Sequence, residues 1–523
     1  MTVSQAVSQI LWLMFGMTST FACVRSVNDW MIVGRWAGAA ICLLPLCMWT
    51  AACARPEHTF THASYSFAVC NLAVTVYGGL QCLGILLPDG PFRVTAGFDN
   101  PAGMAAALVA TYPYLASVLP ISGRKMCVYS AVFVAESALL YVAGTRAGLI
   151  ALSAAFVLTV LPHLSSCGRK AVSAAVAVCL SVSLVLLFSR KTASTYGRSM
   201  ILRCSLSLAM EHPFLGVGTG GFLRLYMPYQ AEWLGNPAHT HLSMLADNVT
   251  HPLCEYMLIL VNYGIIGLTA VLAFLTATIV RAFNRDSATC RTSVAALVSV
   301  SVLSAFSYPF RYPLTLVAVA VACLCIWRGA IGRLPAVVVR AFPPLASVAY
   351  VTVFVLLTMP WLKAQSEWKG LSDRSGQGDV PEQVLQGYAG LESRLGLDPY
   401  FLYNRAVTYH QTGRNNEALE SVKSSLAKLS CYDSVLLEGD IERDLGHISE
   451  AESCYRLASC MCPCRFLPLY RLFRLYQETG RDADMRSIGR DILSKPMKVP
   501  SADVRRIRLS VRQTMAGLTT VCD

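Results

Sequence analysis

Up to about Leu362 the chain consists mainly of long apolar runs, and from about Lys363 onward charged and polar residues return at the density of a water-soluble domain. Several runs reach the roughly 20 apolar residues that a helix needs to cross a bilayer. They predict eleven spans, near 7–24, 31–54, 65–88, 101–120, 126–143, 147–164, 170–188, 252–280, 292–309, 312–329 and 343–362. Only Gly144, Thr145 and Arg146 separate the spans at 126–143 and 147–164, which predicts a tight glycine-containing turn. Arg35 stands out as the one charge well inside a predicted span. The expected fold class is all-α: a polytopic helical membrane protein with a C-terminal helical-repeat domain. The expected organisation is spans one to seven in 1–188, a large loop with an amphipathic helix in 189–251, and spans eight to eleven in 252–362. A linker follows at 363–386, and the repeats occupy 387–523.

The repeats are read from self-similarity after residue 387. Ala406, Tyr409, Gly413, Ala418 and Val422 fit one tetratricopeptide-type unit, and Gly439, Gly446, Ala451, Tyr455, Ala458 and Pro463 fit the next. A third contains Phe473, Tyr476, Gly480 and Ile492; the turn glycines are spaced by 33 and 34 residues. Such units bury their apolar faces only by stacking on neighbours, and the stack usually presents a concave binding face. Docking of a protein or glycan partner is one reading, and a passive stabilising cap is the other.

Composition agrees with the pattern. Hydrophobic residues make up 54% and charged residues 14% of the 523 positions, against roughly 25% charge in an average soluble chain. The net charge of +12 does not point to nucleic acid, because much of it lies in short loops between spans. One set of loops carries Arg55, Arg124, Lys125, Arg169, Lys170, Arg281, Arg285, Arg291, Arg328, Arg333 and Arg340. The other carries only Arg25, Arg93, Arg146 and Arg311. The positive-inside rule then predicts a cytoplasmic N-terminus, with the 189–251 loop and the repeats extracytoplasmic. Met1–Gln5 offers no Lys or Arg for a signal-peptide n-region, so the first run is expected to be retained. Most of the twenty cysteines fall in apolar runs, where Cys behaves as a small hydrophobe. Cys460, Cys462 and Cys464 form a tight cluster that reads as buried cysteines or one disulfide rather than a metal site.

The specific chemistry lies between Tyr196 and Leu268. Gly197 and Arg198 open a predicted helix that ends at Glu211, His212 and Pro213. A glycine-rich turn follows (Gly216-Val217-Gly218, then Gly220 and Gly221), and the next span carries Glu255-Tyr256 and breaks at Gly264-Ile265-Ile266-Gly267. Upstream stand Gly97-Phe98-Asp99-Asn100-Pro101 and Thr145-Arg146. The glycine run is no nucleotide loop, since no strand precedes it and no Lys-Ser/Thr follows; a sharp turn is the expectation.

These motifs resemble the O-antigen ligase and polymerase superfamily of membrane glycosyltransferases, in detail over about residues 90–270. The resemblance implies transfer of a glycan from a polyprenyl diphosphate carrier to an acceptor hydroxyl on the outer face of the inner membrane, without a cofactor or metal. It points to Arg146 and Arg198 as diphosphate ligands, with Arg203 a further candidate. Arginine suits the role because its charge is permanent and its planar fork grips phosphate oxygens in two places. Family members commonly carry a His at the mouth of the later span, where this chain has Leu253, and Cys254 stands where Asn is frequent. The acceptor base is therefore expected to be His251, two residues earlier, or Glu255. If a helix starts at Pro252, the two lie four residues apart on one face.

The acceptor could be a lipid, a growing polysaccharide or a protein hydroxyl; ligase, polymerase and protein O-oligosaccharyltransferase all remain open. A zinc reading of His239, His241, Asp247 and His251 is less favoured. Two further classes are a non-enzymatic envelope assembly protein that recruits partners through its repeats, and a transporter. The partners implied are a lipid-linked glycan, its acceptor, membrane lipids and a protein at the repeats.

Overall fold

Proline, glycine and helix-capping residues divide the apolar runs into helices with clear limits. In the computed structural model, the described residues are 3–21, 56–88, 91–119, 123–190, 192–284, 287–331, 359–376, 382–498 and 501–519, with isolated positions between 345 and 356. All regular elements among them are helices, so the all-α expectation holds. The chain divides into two units: 1–191 with 253–256 and 268–366, and 192–252 with 257–267 and 367–523.

In the first unit, five helices among the described residues are long and apolar enough to cross a membrane: Phe60–Cys82, Lys125–Ala143, Arg146–His163, Ser166–Val185 and Glu255–Phe283, the last of which also runs through the second unit. Ala288–Ser304 and Pro313–Trp327 are apolar but shorter. These seven fall on predicted spans. The run expected as one span at 101–120 is helical from Pro101 to Val118 but tightens midway. A helix at Pro101–Thr111 gives way to a tighter turn at Tyr112–Tyr114 and a short helix at Leu115–Val118. Pro113 supplies no backbone N–H there, which interrupts the helical bonding. The predicted spans at 31–54 and, for the most part, 343–362 lie outside the described residues.

The Pro101–Thr111 helix is buried over almost its whole length. Its small side chains permit close approach: a Cβ on Gly148 would stand 2.9 Å from Ala105 Cβ. Asn100 starts this helix, its Oδ1 accepting from the N–H groups of Ala102 (2.7 Å) and Gly103 (3.2 Å). At the expected turn, Gly144 is left-handed (φ 69°) and the Thr145 N–H donates to the Leu140 carbonyl at 2.9 Å.

The reading of charges inside spans needs correction. Glu136 lies within Lys125–Ala143 and is fully buried; Arg35 lies outside the described residues. Burial of a carboxyl in a span demands polar company, and other helices provide it. The Thr75 hydroxyl is 3.2 Å from Glu136 Oε1, and Asn71, one turn earlier on the same helix, donates to Thr111 Oγ1 at 3.2 Å.

The second unit contains helices Thr192–Glu211 and Gly221–Gly235 together with a series of helical hairpins. Pro399–Gln411 pairs with Asn415–Leu426, Tyr432–Asp444 with Ile448–Met461, and Leu467–Glu478 with Asp482–Ser494. The three hairpins share one turn. In each, the residue after a positive-φ glycine donates to the carbonyl five back: Arg414 to Tyr409, His447 to Glu442 and Arg481 to Tyr476, at 2.9–3.0 Å. This is the 33–34-residue period read in the sequence. Ala406, Ala418, Ala451 and Ala458 are fully buried.

Residues 192–252 share a core with these hairpins: Phe222, Tyr226 and Met227 cluster with Tyr432, Val435, Met461 and Cys462. Gln230 Nε2 donates to the Met461 carbonyl (2.8 Å), Cys464 Sγ donates to the Ala246 carbonyl (3.2 Å), and Arg465 pairs with Asp247 (2.9 Å). Cys462 and Cys464 are buried and Cys460 is exposed, with no disulfide among them.

Gly439 sets the tightest crossing in the second hairpin, where an added Cβ would stand 2.7 Å from the Tyr455 ring. Gly439→Ala is expected to destabilise the chain by about 1–3 kcal/mol through overpacking. Thermal unfolding of the detergent-solubilised full chain measures this, and an unchanged midpoint would refute the close crossing.

Candidate functional site

A helix that breaks within an apolar span must find other partners for its freed backbone groups, since hydrocarbon supplies none. Glu255–Phe283 breaks at Gly264, whose φ of 63° and ψ of −166° suit glycine alone. The partners come from the glycine-rich turn. The N–H groups of Val217 and Gly218 donate to the carbonyls of Val261 and Asn262 (both 2.9 Å). In return, the Ile265 N–H donates to the Pro213 carbonyl (2.8 Å) and the Ile266 N–H to Phe214 (3.3 Å). Asn262 Oδ1 also accepts from the Phe222 N–H at 3.0 Å. The two backbones are so close that a Cβ on Gly216 would stand 2.5 Å from Val261 O and Tyr263 N, and a Cβ on Gly264 would collide with the Phe214 carbonyl. The expected break and the expected sharp turn are thus two sides of one structure.

Arg198 and Arg203 lie on Thr192–Glu211 and are both exposed. That helix is anchored by Cys204, Leu208 and Ala209, all buried. His251, half-buried, follows the non-helical stretch 246–250 in the same unit. Two residues of the zinc reading are engaged elsewhere. The His239 ring stacks on Trp233 with centroids 3.6 Å apart, and Asp247 pairs with Arg465.

The first unit holds the other two candidates. Arg146 opens the helix Arg146–Val160 and is half-buried. Glu255 is buried and opens Glu255–Phe283; its Oε1 accepts from the Phe310 N–H at 3.2 Å. The expected helix start at Pro252 is corrected. Leu253 is left-handed (φ 58°) and Cys254 extended (φ −153°), so helix begins only at Glu255. His251 and Glu255 therefore do not share a helical face.

Phe310 sits in a turn, Pro309–Arg311, flanked by two tyrosines that the sequence reading missed. Tyr312 Oη donates to Asp99 Oδ1 at 2.9 Å. Asn100 Nδ2 is 2.7 Å from Asp99 Oδ2, 3.1 Å from Tyr308 Oη and 3.2 Å from Tyr312 Oη. Burial pushes the Asp99 carboxyl above its usual range, against the opposing effects of the Tyr312 hydrogen bond and the nearby Arg311. Phe98 stacks edge-on against Tyr312. The Asp99–Asn100 pair was visible as a motif, but its partners lie more than 200 residues away and belong to no motif.

Residues 131–272 match the family model described as O-Antigen ligase. This segment belongs to the O-antigen ligase family. The family segment contains all five candidates (Arg146, Arg198, Arg203, His251 and Glu255) and both sides of the Gly216–Gly264 contact. Asp99, Asn100, Tyr308, Tyr312 and the hairpins lie outside it. No curated protein matches the chain.

Replacing Gly264 by Ala is expected to abolish correct folding of the O-antigen ligase segment, since the left-handed φ and the Phe214 carbonyl both oppose a Cβ. The readout is recovery of monodisperse protein from detergent extracts. Wild-type recovery and melting would refute the tight backbone contact.

Proposed function

We propose that this protein is a membrane glycosyltransferase of the O-antigen ligase type, moving a glycan from a polyprenyl diphosphate to an acceptor hydroxyl on the extracytoplasmic face of the inner membrane. The observation that carries the reading is that the family segment contains every charged candidate and the broken span. In the reaction, the acceptor oxygen attacks the anomeric carbon of the glycan. The bond from that carbon to the diphosphate oxygen breaks, the diphosphate leaves with the electron pair, and a base takes the acceptor proton. Arg146 and Arg198 are assigned to the diphosphate, where permanent charge offsets the charge that develops on the leaving group. Arg203 is a further ligand.

Leu253, at the family's His position, has no group that can accept a proton. That task is assigned to Glu255 or His251, with Glu255 favoured because a backbone N–H orients its carboxyl. The hairpins are read as tetratricopeptide-type repeats that dock the acceptor or a partner protein. This role is supported by the core they share with residues 192–252. A lipid, a growing polysaccharide and a protein hydroxyl are all chemically competent acceptors.

Arg198→Ala and Arg146→Ala are each expected to lower glycan transfer by about 10²–10³-fold, the usual effect of removing one charge-stabilising donor, while protein levels stay normal. Gel analysis of cell-envelope glycans, with transfer from a purified lipid-linked donor, measures this. Wild-type glycan in both variants would sink the transferase reading.

A further inference from the structure

The partly buried hydrogen bonds around Tyr312 join two things the family match does not connect: the Asp99–Asn100 motif and the carboxyl of Glu255. Both oxygens of Asp99 are engaged, Oδ1 by the Tyr312 hydroxyl and Oδ2 by Asn100. That leaves Asp99 badly placed to act as a base and well placed to fix a neighbour. Asn100 is held in turn, because its Oδ1 caps the Pro101–Thr111 helix, so its amide nitrogen faces the two tyrosines in a set direction. The Tyr312 ring lies against the first turn of that helix, where a Cβ on Gly103 would be 2.6 Å from its Cε1. Tyr308 and Tyr312 bracket the Pro309–Arg311 turn, and the turn's Phe310 N–H binds Glu255 Oε1.

We propose that Tyr312 and Asp99 are positioning residues for the acceptor step, fixing the 308–312 turn so that its Phe310 N–H aims the Glu255 carboxyl. This rests on the role given to Glu255 under the transferase reading. Removing the Tyr312 hydroxyl breaks the bond to Asp99 and leaves the ring in place. The turn can then shift, and a displacement of about 1 Å in a reacting group can lower a rate on the order of 10²-fold. The donor contacts assigned to the arginines are untouched. The expected signature is therefore a fall in kcat without a rise in KM for the lipid-linked donor.

The test is a transfer assay on the full chain in proteoliposomes, with a purified lipid-linked glycan and its acceptor. Tyr312→Phe and Asp99→Asn are each expected to lower kcat about 10- to 100-fold, with the donor KM within about twofold of wild type. In a Glu255→Gln background, Tyr312→Phe is expected to cause no further loss, since residues that act through one group are not additive. Gly103→Ala, whose Cβ would press on the ring, should reproduce the Tyr312→Phe signature. If Tyr312→Phe fails to yield folded protein, Asp99→Asn carries the same cycle, since an amide keeps one acceptor oxygen and cannot hold both Tyr312 and Asn100. Losses that multiply in the double variant overturn the inference, as does a raised KM with unchanged kcat. Wild-type kcat in Glu255→Gln also overturns it but leaves the arginine-based transfer standing. Only wild-type transfer in both arginine variants removes the underlying reading.

Discussion

The structure of the O-antigen ligase segment turns on an exchange of backbone hydrogen bonds between the glycine-rich turn at 213–218 and the break in the span at 261–266. An interrupted helix leaves carbonyls and N–H groups without intrahelical partners, and in an apolar setting each such group costs several kcal/mol. Here each side supplies what the other lacks. Val261 and Asn262 accept from Val217 and Gly218, while Ile265 and Ile266 donate to Pro213 and Phe214. Neither piece is stable alone in this shape. The contact tolerates no side chain at Gly216 or Gly264, so two glycines far apart in sequence are bound by one steric condition. The turn directly follows the helix bearing Arg198 and Arg203, so the same exchange fixes where that helix ends.

A second constraint ties residues 192–252 to the hairpins. Phe222, Tyr226 and Met227 find their apolar partners in Tyr432, Met461 and Cys462. Gln230 and Asp247 find polar partners in the Met461 carbonyl and Arg465. A cap that merely covered the loop would need no buried side-chain donor reaching a specific carbonyl. Gln230 is fully buried, and a buried amide that lost that acceptor would cost about 1–3 kcal/mol. The hairpins are therefore part of the framework that holds the arginine-bearing helix, whatever else they bind.

Much of this was legible in the sequence for reasons that can be named. The hairpin period was visible because one turn geometry recurs and demands glycine each time, at 413, 446 and 480. The break at Gly264 was visible because a span containing Gly264 and Gly267 is already weak as a helix. What remained hidden depends on long-range pairing. Nothing near Tyr308 or Tyr312 announces that both meet Asn100, and nothing near Val217 shows that it donates to Val261. Glu136 was overlooked because the surrounding apolar run masks a single carboxyl, whose partner Thr75 lies on another helix. The predicted helix start at Pro252 followed a sound local preference. It was overridden by the left-handed Leu253, a conformation that costs a residue with a Cβ roughly 1–2 kcal/mol.

That strained Leu253 bears on the role proposed for Glu255. A conformation that costs energy persists only where its surroundings impose it. Here it ends the coil abruptly, leaves Cys254 extended, and makes Glu255 the first residue of the helix. The backbone thus delivers a side chain to the mouth of the span two positions later than the histidine would stand. A carboxyl placed there is directional only if something aims it, because its own side chain has several rotatable bonds and a helix N-terminus attracts it without fixing its plane. An imidazole, which is rigid beyond its second torsion, has less need of such help. Under the role proposed for Glu255, the N–H of Phe310, on a turn bracketed by two tyrosines that meet Asp99 and Asn100, supplies that aim. Under that proposal the partly buried polar network outside the family segment compensates for the departure within it.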